Sequence, residues 1–184
     1  MALWTEATFQ PITANFNVGR ISAALRGLIL HITDGKSPGP GKPRIPPTLG
    51  GLWSTFNNPA HNASAHFGVA KDGEVWQFVD TANRAWSVDG DDPIDGHWAS
   101  IENIAVPGDE LTDEQVDVVV RLLKWLNVQH AVPLTVAHTK GSSGLGYHAL
   151  FGKGHPGCPG SPVIDQIPDI VALAKGIEPT WLQD

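Results

Sequence analysis

A chain of 184 residues with 41% hydrophobic and 17% charged content has the composition of one globular domain, which excludes a disordered chain and leaves little room for a second domain. The net charge of −7, the pI near 5.5 and the absence of any Lys or Arg run argue against nucleic acid as a partner. No apolar stretch approaches the ~20 residues of a membrane span, and Met1-Ala2-Leu3-Trp4-Thr5-Glu6 lacks the basic start and apolar segment of a secretory signal, so cytoplasmic synthesis, no membrane insertion and a monomer are expected.

The first clear element is Leu28-Ile29-Leu30-His31-Ile32-Thr33, apolar at nearly every position and therefore a strand buried on both faces. A histidine inside such a run needs a partner. From Asp34 to Gly51 the chain is rich in Gly and Pro, which predicts an irregular loop suited to walling a cleft. A short helical segment over Leu52 to Asn58 and a strand from about Ala65 to Ala70 follow. The Asp-Gly pair in Lys71-Asp72-Gly73 then signals a hairpin into Glu74 to Val79, where polar and apolar residues alternate. Arg84 to Val88 is a further short strand, Val88 to Trp98 an acidic loop, and Ala99 to Ala105 a strand with Glu102 among apolar neighbours.

Thr112-Asp113-Glu114-Gln115 has the form of a capping box, and Val116, Val119, Val120, Leu123 and Leu126 recur at helical spacing, which predicts a helix to about Gln129. Ala131 to Ala137 reads as extended and His138 to Gly160 as a long loop. A last helix begins at Ser161 with Pro162 in its first turn and Ile164, Ile167, Ile170, Val171 and Leu173 inward, and Pro168 should kink or split it. Strands and helices alternating around a central hairpin predict an α/β fold, a mixed β-sheet with helices packed on it. One domain spans 1–184, with its core over about 25–175. No internal repeat is present.

Cys158 is the only cysteine, which excludes a disulfide framework and any multi-cysteine structural zinc site. Two histidines and one thiolate, His31, His148 and Cys158, match the ligand count of a catalytic Zn²⁺ that keeps one position for water. Pro159-Gly160 after Cys158 favours a tight turn that fixes the thiolate's direction. Zinc of this kind activates water and polarises a carbonyl, so an amide can be hydrolysed without a protein nucleophile. The proton shuttle it requires is assigned to Glu102, whose apolar strand should raise its pKa.

The ordered set of His31 in Leu-Ile-Leu-His-Ile-Thr, Ser64-Ala65-His66-Phe67 before the hairpin, Ser100-Ile101-Glu102-Asn103, and His148 with Cys158-Pro159-Gly160 resembles the type 2 N-acetylmuramoyl-L-alanine amidases. That family includes phage endolysins, wall-recycling amidases and peptidoglycan recognition proteins. The resemblance implies a zinc cleft on a mixed sheet and cleavage of the amide between N-acetylmuramic acid and L-alanine in bacterial peptidoglycan. It puts His31, His148 and Cys158 on the metal-ligand positions and Glu102 on the catalytic carboxylate of one branch. The other branch carries Tyr where this chain has Ala65. Members often carry Lys or Thr two residues before the last ligand, but this chain has Pro156. His155, Lys153 or a backbone amide is then left to meet the carbonyl oxygen.

Competing readings stand beside these. His66 lines the cleft or is a core histidine, and Trp86 stacks on substrate or packs inside. Glu102 is the shuttle or a structural partner of Arg84 or Lys71. His138, ten positions before His148, has ligand chemistry too. The expected setting is a phage or prophage endolysin. The alternatives are a peptidoglycan-binding module without hydrolysis, against which the presence of Cys158 counts, and a hydrolase using Cys158 as nucleophile with His148 or His155.

Overall fold

A computed structural model describes residues 2–20, 24–88, 96–152 and 156–178. Among these residues eight strands form: β1 (Thr8–Phe9), β2 (Phe16–Asn17), β3 (Gly27–Ile32), β4 (Phe67–Val69), β5 (Val75–Gln77), β6 (Arg84–Ala85), β7 (Trp98–Asn103) and β8 (Gly144–Tyr147). The α-helices among the described residues are α1 (Leu49–Phe56), α2 (Asp113–His130) and α3 (Ser161–Ala174). The main sheet has the order β1-β5-β4-β7-β3-β8, and β2 pairs with β6 in a separate ribbon. Strand β3 runs parallel to both β7 and β8, β4 runs parallel to β7 and β1 to β5, so within the main sheet only the β4–β5 hairpin is antiparallel. This is the mixed sheet with flanking helices that the sequence predicts.

Period-two alternation sorts the side chains of the central strands onto two faces. Leu28, Leu30 and Ile32 of β3 and Ala99 and Ile101 of β7 join one core with Val118, Val119, Leu122, Leu123 and Leu126 of α2 and Val163, Ile167 and Ile170 of α3. Ile29 and Trp98, on the other face, pack with Val88 and Ala137. His31 and Glu102 share that second face, away from the two long helices. All six residues of β3 are buried. Helix α2 starts where expected: Thr112 Oγ1 accepts from the Gln115 N–H at 3.2 Å, and Gln115 Oε1 accepts from the Thr112 N–H at 3.1 Å.

Several expectations are corrected. The segment assigned to a loop from His138 to Gly160 contains β8 and a 3-10 turn over His148–Phe151. Ala131 to Ala137 forms no strand, only an isolated bridge from Val136 to Leu145. Helix α1 begins at Leu49 rather than Leu52, capped by Thr48 Oγ1. Pro168 does not split α3: it sits on the exposed side and the helix continues to Ala174. Val163, not Ile164, is the fully buried residue of its first turn. Core packing also begins before residue 25, since Trp4 is buried against Phe67 and Trp125. The acidic segment 89–95 lies outside the described residues.

Strand β8 owes its place to two glycines. A Cβ on Gly27 would stand 2.0 Å from the Gly144 carbonyl oxygen, and a Cβ on Gly144, whose φ is +116°, would stand 2.0 Å from that of Thr135. Gly144→Ala is therefore expected to cost about 3 kcal/mol or more, read as a lower midpoint in chemical denaturation. A change under about 0.5 kcal/mol would show that the close approach is not needed.

Candidate metal centre and groove

The parallel strands β3, β7 and β8 end together, and the candidate chemistry collects at their carboxyl ends. His31 is the fifth residue of β3 and stands in register with Glu102, the fifth of β7. The next position across the sheet is Gly68 of β4. A Cβ there would press on Phe78 and Leu52 at 2.9 and 3.0 Å, so the glycine suits the crowding under this face. His148 follows directly on β8, and its turn is tied to the far end of the loop by the Ala149 N–H donating to the Cys158 carbonyl at 2.9 Å. The Ile32 N–H points at Cys158 Sγ at 3.5 Å. Four separated stretches of sequence thereby converge.

Ligand atoms of His31, His148 and Cys158 all lie within 4.8 Å of one another. The two imidazole rings are 4.5 Å apart between centroids. Both histidines are buried and Cys158 is partly so. Two imidazoles and a thiol in this spacing form a donor set suited to a tetrahedral, borderline-soft cation such as zinc. Glu102 Oε1 lies 4.0 Å from His31 Nδ1, and its Oε2 is buried with no hydrogen-bond partner among the described residues. A buried carboxylate oxygen left in this state calls for a function, because such atoms are rare.

Burial pushes the Glu102 carboxyl up from 4.5 to about 8. It pushes the Cys158 thiol up from 9.0 to about 12, helped by the nearby charge of Glu102 and opposed by the hydrogen bond from Ile32. A thiol this reluctant to ionise is a poor nucleophile on its own and becomes a thiolate when a cation binds it. That counts against the reading of Cys158 as a catalytic nucleophile.

The cluster forms part of the lining of an open groove of about 1350 Å³. One wall is the segment from Thr33 to Pro47 and another is formed by Leu52, Thr55 and Phe56 with residues 61–64, while Trp86 and Ser87 complete the lining. The Gly/Pro-rich loop thus does wall a cleft. Trp86 is half-buried in that lining, its indole N–H donating to Asn17 Oδ1. Pro156 lines the groove too, whereas His155 and Lys153 lie outside the described residues. His138 is exposed and stands outside the ligand cluster. Lys71 pairs with Asp109 at 2.8 Å and Arg84 bonds Asn17, so neither is the partner that a structural reading of Glu102 requires.

His66 does not line the groove. It is fully buried, with Nδ1 3.1 Å from Ser100 Oγ and Nε2 2.8 Å from an Arg20 nitrogen and 3.3 Å from the Asn83 carbonyl. Desolvation first, and Arg20 second, hold its pKa well below 6.5. The unfolded chain therefore binds a proton below pH 6.5 that the native state refuses, and this part of the stability is present above pH 6.5 and lost as the pH falls. The expected result is an acid-side loss of up to about 1.4 kcal/mol per pH unit that His66→Gln reduces, read in denaturation curves between pH 7 and 5. An identical slope in the variant would contradict it.

His61, Asn62 and Lys36 also line the groove and escape a sequence reading. They sit in aperiodic loops, where no spacing signals which way a side chain faces.

The N-acetylmuramoyl-L-alanine amidase family matches residues 22–161 of this chain. The chain belongs to that family. Solved structures share its fold at low identity. AmpD, solved as a selenomethionine derivative, aligns with a TM-score of 0.66 at 18% identity, over 91% of this chain and 96% of that one. The endolysin N-acetylmuramoyl-L-alanine amidase LysCS from Clostridium intestinale aligns with a TM-score of 0.61 at 11% identity, over 97% and 100%. PGRP-SA from Apis mellifera aligns at 0.62 and 11% identity, over 89% and 94%. Comparison with curated protein sequences finds no match.

Proposed function

We propose that this chain is a zinc-dependent hydrolase that cuts the amide between N-acetylmuramic acid and L-alanine in peptidoglycan. The observation that carries the reading is the convergence of His31, His148 and Cys158 within 4.8 Å beside the buried carboxyl of Glu102, in a chain of this family. His31, His148 and Cys158 would hold the ion. Zinc bound there supplies Lewis acidity to a carbonyl oxygen and to water. Glu102 Oε2 accepts the proton of the attacking water and returns it to the departing amide nitrogen, leaving a lactyl carboxylate and a free L-alanine amine. A carboxyl whose pKa sits at about 8 without a cation, and lower beside one, is suited to both transfers near neutral pH. The half-buried Trp86 offers an apolar ring to the muramyl part of the substrate. Pro156 has no side-chain donor, so a backbone amide or His155 would meet the carbonyl oxygen.

The setting that fits is lysis by a phage or prophage endolysin, which the fold likeness to LysCS supports. Among the described residues no helix is long and apolar enough to cross a membrane. The likeness to PGRP-SA keeps a second reading in play, in which the same groove binds peptidoglycan without cutting it. Chelation separates them. The purified protein should contain about one zinc per chain, lose hydrolysis of muramyl peptides in chelator and recover it on adding zinc. Binding without hydrolysis at full zinc occupancy would favour the recognition module. Activity that survives chelator but not thiol alkylation would favour a cysteine nucleophile.

A further inference from the structure

The wall of the groove carries a cation that the proposed reaction leaves unused. After β3 the chain turns through Asp34 and Gly35, with φ of 60° and 72°. Arg44 returns across this turn, its Nε donating to the Asp34 carbonyl at 2.7 Å and its Nη2 to the Gly35 carbonyl at 2.9 Å and to Asp34 Oδ2 at 2.8 Å. Beside that clamp, Lys36 and Ile45 exchange backbone hydrogen bonds at 2.8 and 2.9 Å. A Cβ on Gly35 would meet the Ile45 carbonyl oxygen at 2.7 Å, so the two arms of the strap are in close contact. Residues 34–45 are a closed, pinned loop, rooted three residues beyond His31.

Lys36 lies on this strap, exposed and part of the groove lining. Among the described lining residues the acidic groups are Asp34 and Glu102, and Lys36 is the one Lys or Arg. Asp34 is already matched by Arg44. The Lys36 ammonium makes no hydrogen bond or ion pair among the described residues, so it adds no visible contact to the fold. The strap holds its backbone firmly while the charge is left open to the groove. On a chain of net charge −7, such a site offers local attraction to an anionic ligand that the rest of the molecule repels.

We propose that Lys36 is a substrate-positioning residue that pairs with a free carboxylate on the peptide arm of the substrate. The inference rests on the muramyl-peptide reading given above. A flexible ammonium is a point charge without the bidentate fork of arginine, so it tolerates carboxylates at somewhat different places along the arm. It sets preference among peptides by their charge and takes no part in bond cleavage.

The test compares two N-acetylmuramyl-L-alanyl peptides that differ only in whether the carboxylate on the second residue is free or amidated. Calorimetric affinities and the kcat and KM for each are measured on the zinc-loaded wild type, Lys36→Met and Lys36→Arg. The wild type should prefer the free carboxylate by about two- to fivefold, the range of an exposed ion pair, and salt should erode that preference. Lys36→Met should abolish the preference through KM and affinity with kcat unchanged, and Lys36→Arg should restore it. Equal affinity of the wild type for both peptides, or an undiminished preference in Lys36→Met, would overturn the proposal. Lys36-dependent binding without hydrolysis would uphold it while sinking the amidase reading, so the two failures are distinguishable.

Discussion

Replacing Glu102 by Gln is expected to lower kcat by about 10²–10⁴-fold, the usual contribution of a positioned general acid/base, while zinc content stays at the wild-type level. Glu102 Oε1 stands 4.0 Å from His31 Nδ1, and Glu102 is not one of the three grouped ligands, so the metal should be retained. The same change should stabilise the metal-free protein. In that state burial raises the carboxyl from 4.5 to about 8, with 18% of the side chain still exposed. Between those two values the native state holds a proton that the unfolded chain has released, so stability falls as pH rises through the window. Glutamine mimics the protonated acid and removes the slope, a gain of roughly 3 kcal/mol at pH 7. Denaturation of the metal-free variant against wild type at pH 5 and pH 8 measures it. Full activity in the variant would remove Glu102 from the proton-transfer role, and a parallel pH dependence of stability would contradict its burial as an acid.

Cys158→Ser is expected to be the most damaging single change to metal binding. Altering a residue that merely orients a ligand costs about 10–100-fold in metal affinity, and deleting the ligand itself should exceed that. Serine is nearly isosteric, but its hydroxyl stays protonated where a thiolate would form, so the site loses charge as well as a soft donor. The fold should survive, since Cys158 is only partly buried at the edge of the main core. The variant should purify folded by circular dichroism, with less than a tenth of the wild-type zinc and with hydrolysis down in proportion. Wild-type zinc content in the serine variant would show that His31 and His148 find their third ligand elsewhere.

Much of this site is legible in the chain because its chemistry sits inside strong local signals. His31 interrupts an apolar run that can only be a buried strand, and Glu102 does the same in β7, so both announce themselves as polar groups needing partners. The capping box at Thr112 and the Asp72-Gly73 turn fix the start of α2 and the β4–β5 hairpin for equally local reasons. Strand β8 was hidden because Gly-Leu-Gly-Tyr has little strand propensity. What makes it a strand is the close backbone approach at Gly27 and Gly144, a tertiary fact. His66 misleads for the opposite reason. Alternation along β4 places it on the same face as Glu102, but nothing in the sequence says that Arg20 and Ser100 fill the space around its ring. Trp4 and Lys36 depend on how distant loops return to the sheet, which no period reports.

Cleavage at a single bond type is tested most directly by mass spectrometry of digested cell walls. Zinc-loaded protein incubated with purified peptidoglycan should release stem peptides with a free L-alanine amine and leave glycan strands whose muramic lactyl groups end in carboxylate. Both products should vanish in chelator. Glycan strands with intact lactyl amides, or cleavage at a glycosidic or interpeptide bond instead, would contradict the account.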